Sequence, residues 1–296
     1  MSDIKLCFES RYGSDGVIME ADFGQLEVVA LAFLSGDKQL REDILNKVDI
    51  HSVNAAKLFK RHLPEFLSAK ASGDPLTLNQ RKLAKQLGFQ LQYGAGAKSM
   101  ADKNGISKAV AQRFIDNYYA RYPGVKEWQD WVAKDVNTTR AINNSLRTEK
   151  GFPVGEGTYI SITNRRYYFR EFDNPFYDKN ATWKTSNNPT NFSPTQLKNY
   201  PVQGFATGDI VPMMLGKVFR LLLPYRKDIK MINTVHDSLV FDCRITSAHT
   251  FGRLIKEELE RAPQYLKEEF GIDFDLPLEV EVKVGPSWGE LKKLDL

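Results

Sequence analysis

The sequence predicts an α+β fold: an antiparallel sheet with helices, divided by a long and mainly helical insertion. Three observations point there. GVIMEADF (residues 16–23) is an apolar, strand-like segment near the start of the chain. Helical hydrophobic patterns then follow one another through the middle. Near the end come a two-strand pattern around a tight turn, KMINTVHDSLVFDC (230–243), a helical stretch, and a closing strand, LPLEVEVKVGPSW (276–288).

With 296 residues the chain can hold one large domain or two smaller ones. Hydrophobic content of 42% and charged content of 26% are ordinary for a globular protein. No apolar run reaches membrane-spanning length, and MSDIKLCFES carries no signal-peptide core. An intracellular chain with no membrane partner is therefore expected. Cys7 and Cys243 both sit in apolar, strand-like contexts, so two buried thiols are expected, not a disulfide or half of a zinc site. The net charge of +4 permits a polyanionic partner without arguing for one.

In chain order, QLEVVALAFLSGD (25–37) reads as a helix with Leu26, Val29, Ala30 and Phe33 on one side, ended by Gly36-Asp37. KVDIHSVNAAKLFK (47–60) reads as another, with Asp49 as N-cap. Residues 66–76 read as a polar link. LTLNQRKLAKQLGFQLQYG (76–94) is a long helix ending near Gly94 and Gly96. SKAVAQRFIDNYYARYPG (107–124) is a helix stopped by Pro123-Gly124, and GVKEWQDWVAKDVNTTRAI (124–142) is the next. TYISITNRRYYFRE (158–171) alternates as a strand, and 172–196 is a long irregular loop. QGFATGDIVPMMLGKVFRLLL (203–223) gives a helix entered near Thr207 to Asp209, and residues 246–270 are helical. No internal repeat is present.

Asp22, in IMEADF, and Asp237, in VHDSLVF, each follow or interrupt an apolar strand. One such aspartate alone is ordinary turn chemistry. If both strands share a sheet, the two carboxylates emerge at one edge and repel unless a cation lies between them. Hard divalent ions suit such a site, and two of them roughly 4 Å apart can activate an attacking oxygen and stabilise a leaving one.

A second pattern lies in RKLAKQLGFQLQYG, where Arg81, Lys85, Phe89 and Tyr93 recur every four residues on one side of a helix. A solvated basic start running into an aromatic core stripe would explain it. So would a surface meeting phosphates at one end and a base or sugar at the other. Gly88 inside this helix costs roughly 1 kcal/mol against alanine, which suggests a close approach or a bend.

These segments together resemble the catalytic core of family A DNA polymerases. ADFGQLEVVALAFLSGD (21–37) resembles motif A, RKLAKQLGFQLQYG (81–94) motif B and VHDSL (235–239) motif C. DIHSVNAAKLF (49–59), TNRRYYF (163–169), NYPVQGFATGDI (199–210) and EVEVKVGPSW (279–288) resemble four further segments of the family, in order. The resemblance implies a right-hand polymerase architecture: a palm from residues 1–36 and 191–296, and a mainly helical fingers part with connecting strands and a loop over 37–190. It implies template-directed DNA synthesis from dNTPs on primer–template DNA, with two Mg²⁺ ions, or Mn²⁺ as a substitute.

The residue roles it implies are as follows. Asp22, Asp237 and the Phe23 carbonyl hold the metals. Arg81 and Lys85 grip the triphosphate with His51, and Lys85 counts among the catalytic residues. Phe89 packs on the nucleotide, Tyr93 sits beside the templating position, and Gln25 and Glu27 complete the nucleotide site, Glu27 as a gate against a ribose 2′-hydroxyl. Asn199, Gln203 and His236 face primer–template, and Arg165 and Arg166 contact the nucleic-acid backbone.

The chain departs from the family pattern at Ser238, where a glutamate is usual, at Gly24, where a serine is usual, and at Thr195, where many relatives carry arginine. It also starts shortly before Asp22, so the expectation is the palm and fingers of a phage-type polymerase without thumb or exonuclease domain: the C-terminal part of a split polymerase with a second protein chain, a truncated polymerase, or a compact one with an accessory subunit. Two other functions fit part of the pattern: a non-catalytic nucleic-acid-binding subunit, and a single-subunit RNA polymerase, against which Glu27 argues.

Overall fold

Residues 16–23 are apolar almost throughout, and a strand flanked on both sides by other strands and covered on both faces should read that way. In the computed structural model, which describes residues 3–180 and 186–296, they form β1 (Gly16–Phe23), largely buried. The chain continues through α1 (Leu26–Ser35), α2 (Lys38–Leu45), α3 (Ile50–Leu58), α4 (Leu63–Ala71), α5 (Pro75–Gln92), α6 (Ala97–Asn104), α7 (Lys108–Arg121) and α8 (Pro123–Thr138). Four strands come next: β2 (Ala141–Arg147), β3 (Pro153–Ile160), β4 (Arg166–Asp173) and β5 (Thr190–Phe192). Then come α9 (Pro194–Gln203), a π-helical segment (Gly204–Ile210), α10 (Val211–Leu222), β6 (Ile229–Val235), β7 (Ser238–Arg244), α11 (Ala248–Glu260), α12 (Ala262–Phe270), β8 (Val280–Gly285) and β9 (Lys292–Lys293). This is the α+β class expected from the sequence.

The chain forms two compact units, Met1–Phe33 with Gln203–Leu296, and Leu34–Val202. The first contains a five-stranded sheet in the order β6-β7-β1-β8-β9, and each pair in it is antiparallel. Residues of β1 bond to β7 on one side and β8 on the other, although β7 and β8 lie far along the chain. The amphipathic α11 packs on this sheet with Phe251, Ile255 and Leu259 buried.

The second unit has a helical part and a four-stranded antiparallel sheet, β2-β3-β4-β5. Helices α2, α3, α5 and α7 start on side-chain caps: Asp37 accepts from the Leu40 amide, Asp49 from Ser52, Asp74 from Thr77 and Ser107 from Val110. Tyr122 is fully buried and donates to Asp43 at 2.7 Å, and Arg121 donates to the same carboxylate. The inner face of the sheet packs Tyr159, Phe169 and Phe192 against Val132 and Val136 of α8 and Leu197 of α9.

Several sequence expectations are corrected. Residues 66–76 are not a polar link. Most of them belong to α4, where Pro64 takes the first turn and Phe66 is fully buried, and to the start of α5. Residues 158–171 are not one strand but the arms of a hairpin, β3 and β4, joined by a turn in which the Ser161 amide donates to the Arg165 carbonyl. The irregular loop at 172–196 contains β5 and the start of α9; its residues 181–185 lie outside the described residues. The helix expected to begin near Thr207 continues from α9 through the π-helical segment into α10. Cys7 is exposed, and only Cys243 is buried as expected. Gly88 is neither a bend nor a tight approach, because α5 runs unbroken and a Cβ there would meet nothing nearer than Phe114 at 4.0 Å. Gly94 is the constrained glycine: its φ is 75°, and a Cβ would lie 2.6 Å from the Thr195 Cα.

Candidate active site: an acid pair and a basic helix face

In the first unit, β1 and β7 pair so that Asp22 lies opposite Ser238. Asp237 precedes Ser238 in the two-residue turn between β6 and β7, so the sheet register brings the two aspartates to one edge. His236 opens that turn with a φ of 55°, a left-handed conformation in which histidine is enriched among non-glycine residues. The Phe23 amide donates to the Asp237 carbonyl at 3.4 Å, tying the end of β1 to the turn.

Both carboxyls are half-buried, and each is pushed above the usual aspartate range. Asp22 rises to about 6, first through burial, then through the charges of Asp237 and Glu20; Lys283 pulls the other way and Glu281 adds to the rise. Asp237 is raised chiefly by burial, against which a hydrogen bond with Asp22 acts. Two carboxylates this close hold excess negative charge at neutral pH, and a cation relieves it. The donors are all oxygen, which suits Mg²⁺, an ion commonly held by one or two carboxylates with waters and substrate phosphates completing its shell. Among the described residues no group of three or more His, Cys, Asp or Glu side chains is placed to hold a metal, so the fit rests on the aspartate pair.

Ser238, the departure from the family pattern, is buried, and its hydroxyl donates to the Val235 carbonyl at 3.0 Å, so it braces the turn. Gln25 occupies the bend between β1 and α1 with a φ of 55°, and its carbonyl accepts from the Val28 and Val29 amides. Glu27 lies in the first turn of α1, where the helix dipole favours a negative charge. Gln203 closes α9 and is half-buried.

The second unit carries the basic face. Asp49 caps α3 and accepts from Arg81 through two bonds, Nε at 2.9 Å and Nη2 at 3.0 Å, and from Lys70 at 2.7 Å. Burial would raise the Asp49 carboxyl, but bonds from Arg81, Lys70 and Ser52 outweigh it and hold the group well below the usual range. His51, in the first turn of α3, is lowered to about 4 by burial and by the charges of Arg81 and Lys85. Its ring centroid lies 5.9 Å from that of Phe89, and the Lys85 ammonium stands 5.6 Å from the Phe89 centroid. Thus His51, Arg81, Lys85 and Phe89 come together on one side of α3 and α5. Tyr93 ends α5 as its C-cap, half-buried. Arg165 lies in the β3–β4 turn, Arg166 opens β4, both exposed, and Asn199 is half-buried in α9.

Sequence reasoning missed Glu20, Glu281 and Lys283 around Asp22. Glu20 lies two residues before Asp22 on the same side of a strand, which was visible. Glu281 is opposite Asp22 in the β1–β8 register, and Lys283 is opposite Glu20. That required the strand order. Asp49 was read as a cap only; its hold on Arg81 needed the packing of α3 against α5.

Three comparisons bear on this arrangement. The sequence model described as DNA polymerase family A matches residues 1–290. DNA polymerase I of Caldicellulosiruptor bescii is 29% identical over 276 residues, covering 93% of this chain and 27% of that protein. DNA polymerase I of Borreliella burgdorferi is 27% identical over 289 residues, covering 97% of this chain and 26% of that protein. The chain thus spans about a quarter of the length of these curated relatives. Among solved structures, the POL domain of Pol1 from M. smegmatis, in complex with DNA primer-template and dNTP, has a TM-score of 0.67 at 22% identity. The match covers 96% of this chain and 42% of that one, and it shows a shared fold.

Proposed function

The chain belongs to DNA polymerase family A, and on that premise we propose that it carries out template-directed DNA synthesis, joining a dNTP to a primer 3′-hydroxyl with release of pyrophosphate. The observation that carries the proposal is the carboxylate pair at the β1–β7 edge: burial raises both groups, and the charge of Asp237 raises Asp22 further, so the pair favours a cation.

In this reading Asp22, Asp237 and the Phe23 carbonyl would hold two Mg²⁺ ions, which would supply Lewis-acid stabilisation of the attacking primer oxygen and the departing pyrophosphate. Arg81, Lys85 and His51 receive the triphosphate. Asp49 fixes the Arg81 guanidinium in advance, so little side-chain freedom is lost when phosphate arrives. His51 has lost its proton in the cationic cluster and regains it as phosphate charge enters, becoming a second donor. Phe89 packs on the sugar and base, Tyr93 borders the templating position, and Gln25 and Glu27 complete the nucleotide site. Glu27 crowds a 2′-hydroxyl, which selects dNTP over rNTP. Asn199, Gln203 and His236 contact primer–template. The reaction requires the acid pair and the basic cluster to reach the same nucleotide.

Primer extension with dNTPs or rNTPs, on wild type and Asp237→Ala, tests the reading. Magnesium-dependent dNTP extension, lost in the variant, is expected. Preferential rNTP use, or equal activity of the variant, overturns it.

A further inference from the structure

The four-stranded sheet of the unit Leu34–Val202 has two unlike faces. Its inner face is the apolar cluster around Phe169. On the opposite face of β4 stand Arg166, Tyr168, Arg170 and Phe172, an alternation of cation and ring. Tyr168 is 70% exposed and Phe172 50%, and Ile160 of β3, opposite Arg166, is 53% exposed. The solvated face of an antiparallel sheet is ordinarily polar. β3 flanks β4 from Arg166 to Arg170, and β5 joins on the other side only at Glu171–Asp173, so the row runs from a one-sided stretch of β4 into the interior of the sheet at Phe172.

Among the described residues the side chains of Tyr168 and Phe172 have no hydrogen-bonding or ring partner, and Arg166 has no ion pair. Arg170 donates to Glu156 at 2.8 Å, and Asn143 donates to the other oxygen of that carboxylate at 3.0 Å, so the Arg170 guanidinium is held in place. The row therefore carries two cations against one acid. Its charge complements a polyanion, and its rings require a polyanion that offers flat apolar surfaces. A duplex offers phosphates but keeps its bases stacked inside; an unpaired strand offers both.

The spacing agrees. Side chains on one face of a strand recur every ~7 Å, so the two rings stand ~13 Å apart with Arg170 between them. Rings that stack bases, interleaved with cations that meet phosphates, are the common solution for single strands, including on the open face of four-stranded sheets.

We propose that the outer face of β4 binds unpaired DNA, with bases stacked on Tyr168 and Phe172 and phosphates held by Arg166 and Arg170. The choice of DNA rests on the polymerase reading; the stacking chemistry does not.

The test titrates the purified chain into a fluorescent oligothymidylate and, separately, into a blunt DNA duplex, following anisotropy. The double variant Tyr168→Ala/Phe172→Ala should bind the single strand ~10-fold or more weakly, with duplex binding and melting temperature unchanged. Tyr168→Phe should bind as wild type does, because it keeps the ring. Asp237→Ala should also bind the single strand as wild type does, so loss of extension in that variant and loss of stacking here are separate results. Three outcomes overturn the proposal. One is equal single-strand affinity of wild type and double variant. Another is an equal loss on the duplex. The third is a changed oligomeric state without a change in DNA binding, which would make the face a protein interface.

Discussion

The acid pair and the basic helix face treat charge in opposite ways. At the β1–β7 edge, Asp22 and Asp237 face each other with Glu20 and Glu281 nearby and Lys283 as the cation acting on Asp22. Negative charge is in excess around Asp22, which burial and its acidic neighbours raise, while burial raises Asp237. On α3 and α5 the cations are partly matched from within: Asp49 takes both Arg81 and Lys70, and His51 gives up its proton. The first region is destabilised without a ligand, and the second is already oriented without one. A cation site can be left frustrated because metal binding relieves it. An anion site made of long, flexible side chains gains more from being held in place.

The largest expected effect breaks the first region. Asp22→Ala or Asp237→Ala should lower extension by ~10³-fold or more, since several kcal/mol of charge stabilisation is removed. Yet Asp22→Asn should raise the melting temperature, by ~1 kcal/mol of stability after allowing for solvent screening, because it removes a repelled, half-buried charge. The second region should respond with the opposite sign. Asp49→Asn keeps a good helix cap but loses two ion pairs, and should lower stability by about 1–2 kcal/mol while raising the KM for dNTP. A thermal melt of both variants beside wild type decides whether the signs differ.

The pH dependence sharpens the same contrast. Asp22 has a folded pKa near 6, above its ordinary 3.8, so its share of stability is present below about pH 4 and is lost as pH rises through 6. His51 has a folded pKa near 4, below its ordinary 6.5, so its share is present above 6.5 and is lost as pH falls through 4. The stability gained by Asp22→Asn over wild type should therefore grow from pH 4 to pH 6, whereas the gain from His51→Gln should shrink over the same range. Melting temperatures at half-unit pH steps check both.

Two glycines bear on the backbone of the second unit alone. Gly94→Ala should destabilise by more than 1–2 kcal/mol, because a left-handed residue would gain a Cβ against the Thr195 backbone. Gly88→Ala should stabilise by about 0.5–1 kcal/mol, since the helix gains propensity and the Cβ has room. Urea titration measures each.

Much of this was legible because the strands carrying Asp22 and Asp237 are apolar and end in recognisable turns, and because a four-residue repeat marks Arg81 to Tyr93. The rest depended on tertiary context. Helix α4 hid because its apolar residues follow no helical stripe: Phe66 alone is buried, while Leu63, Leu67 and Ala69 stay exposed or half-buried. The β3–β4 hairpin hid because its turn contains no glycine; Asn164 supplies the positive φ of 60°, and apolar alternation continues across it. The charges around Asp22 come from strands far apart in sequence, and no local period announces which residues a register sets opposite each other.

The central claim is that Asp22 and Asp237 hold the metal. Mn²⁺, standing in for Mg²⁺, can be titrated into the protein alone and followed by its paramagnetic resonance. Wild type should bind Mn²⁺ and the double variant Asp22→Asn/Asp237→Asn should leave it free in solution, while both keep a cooperative melt. Equal Mn²⁺ binding by the two proteins would contradict the account.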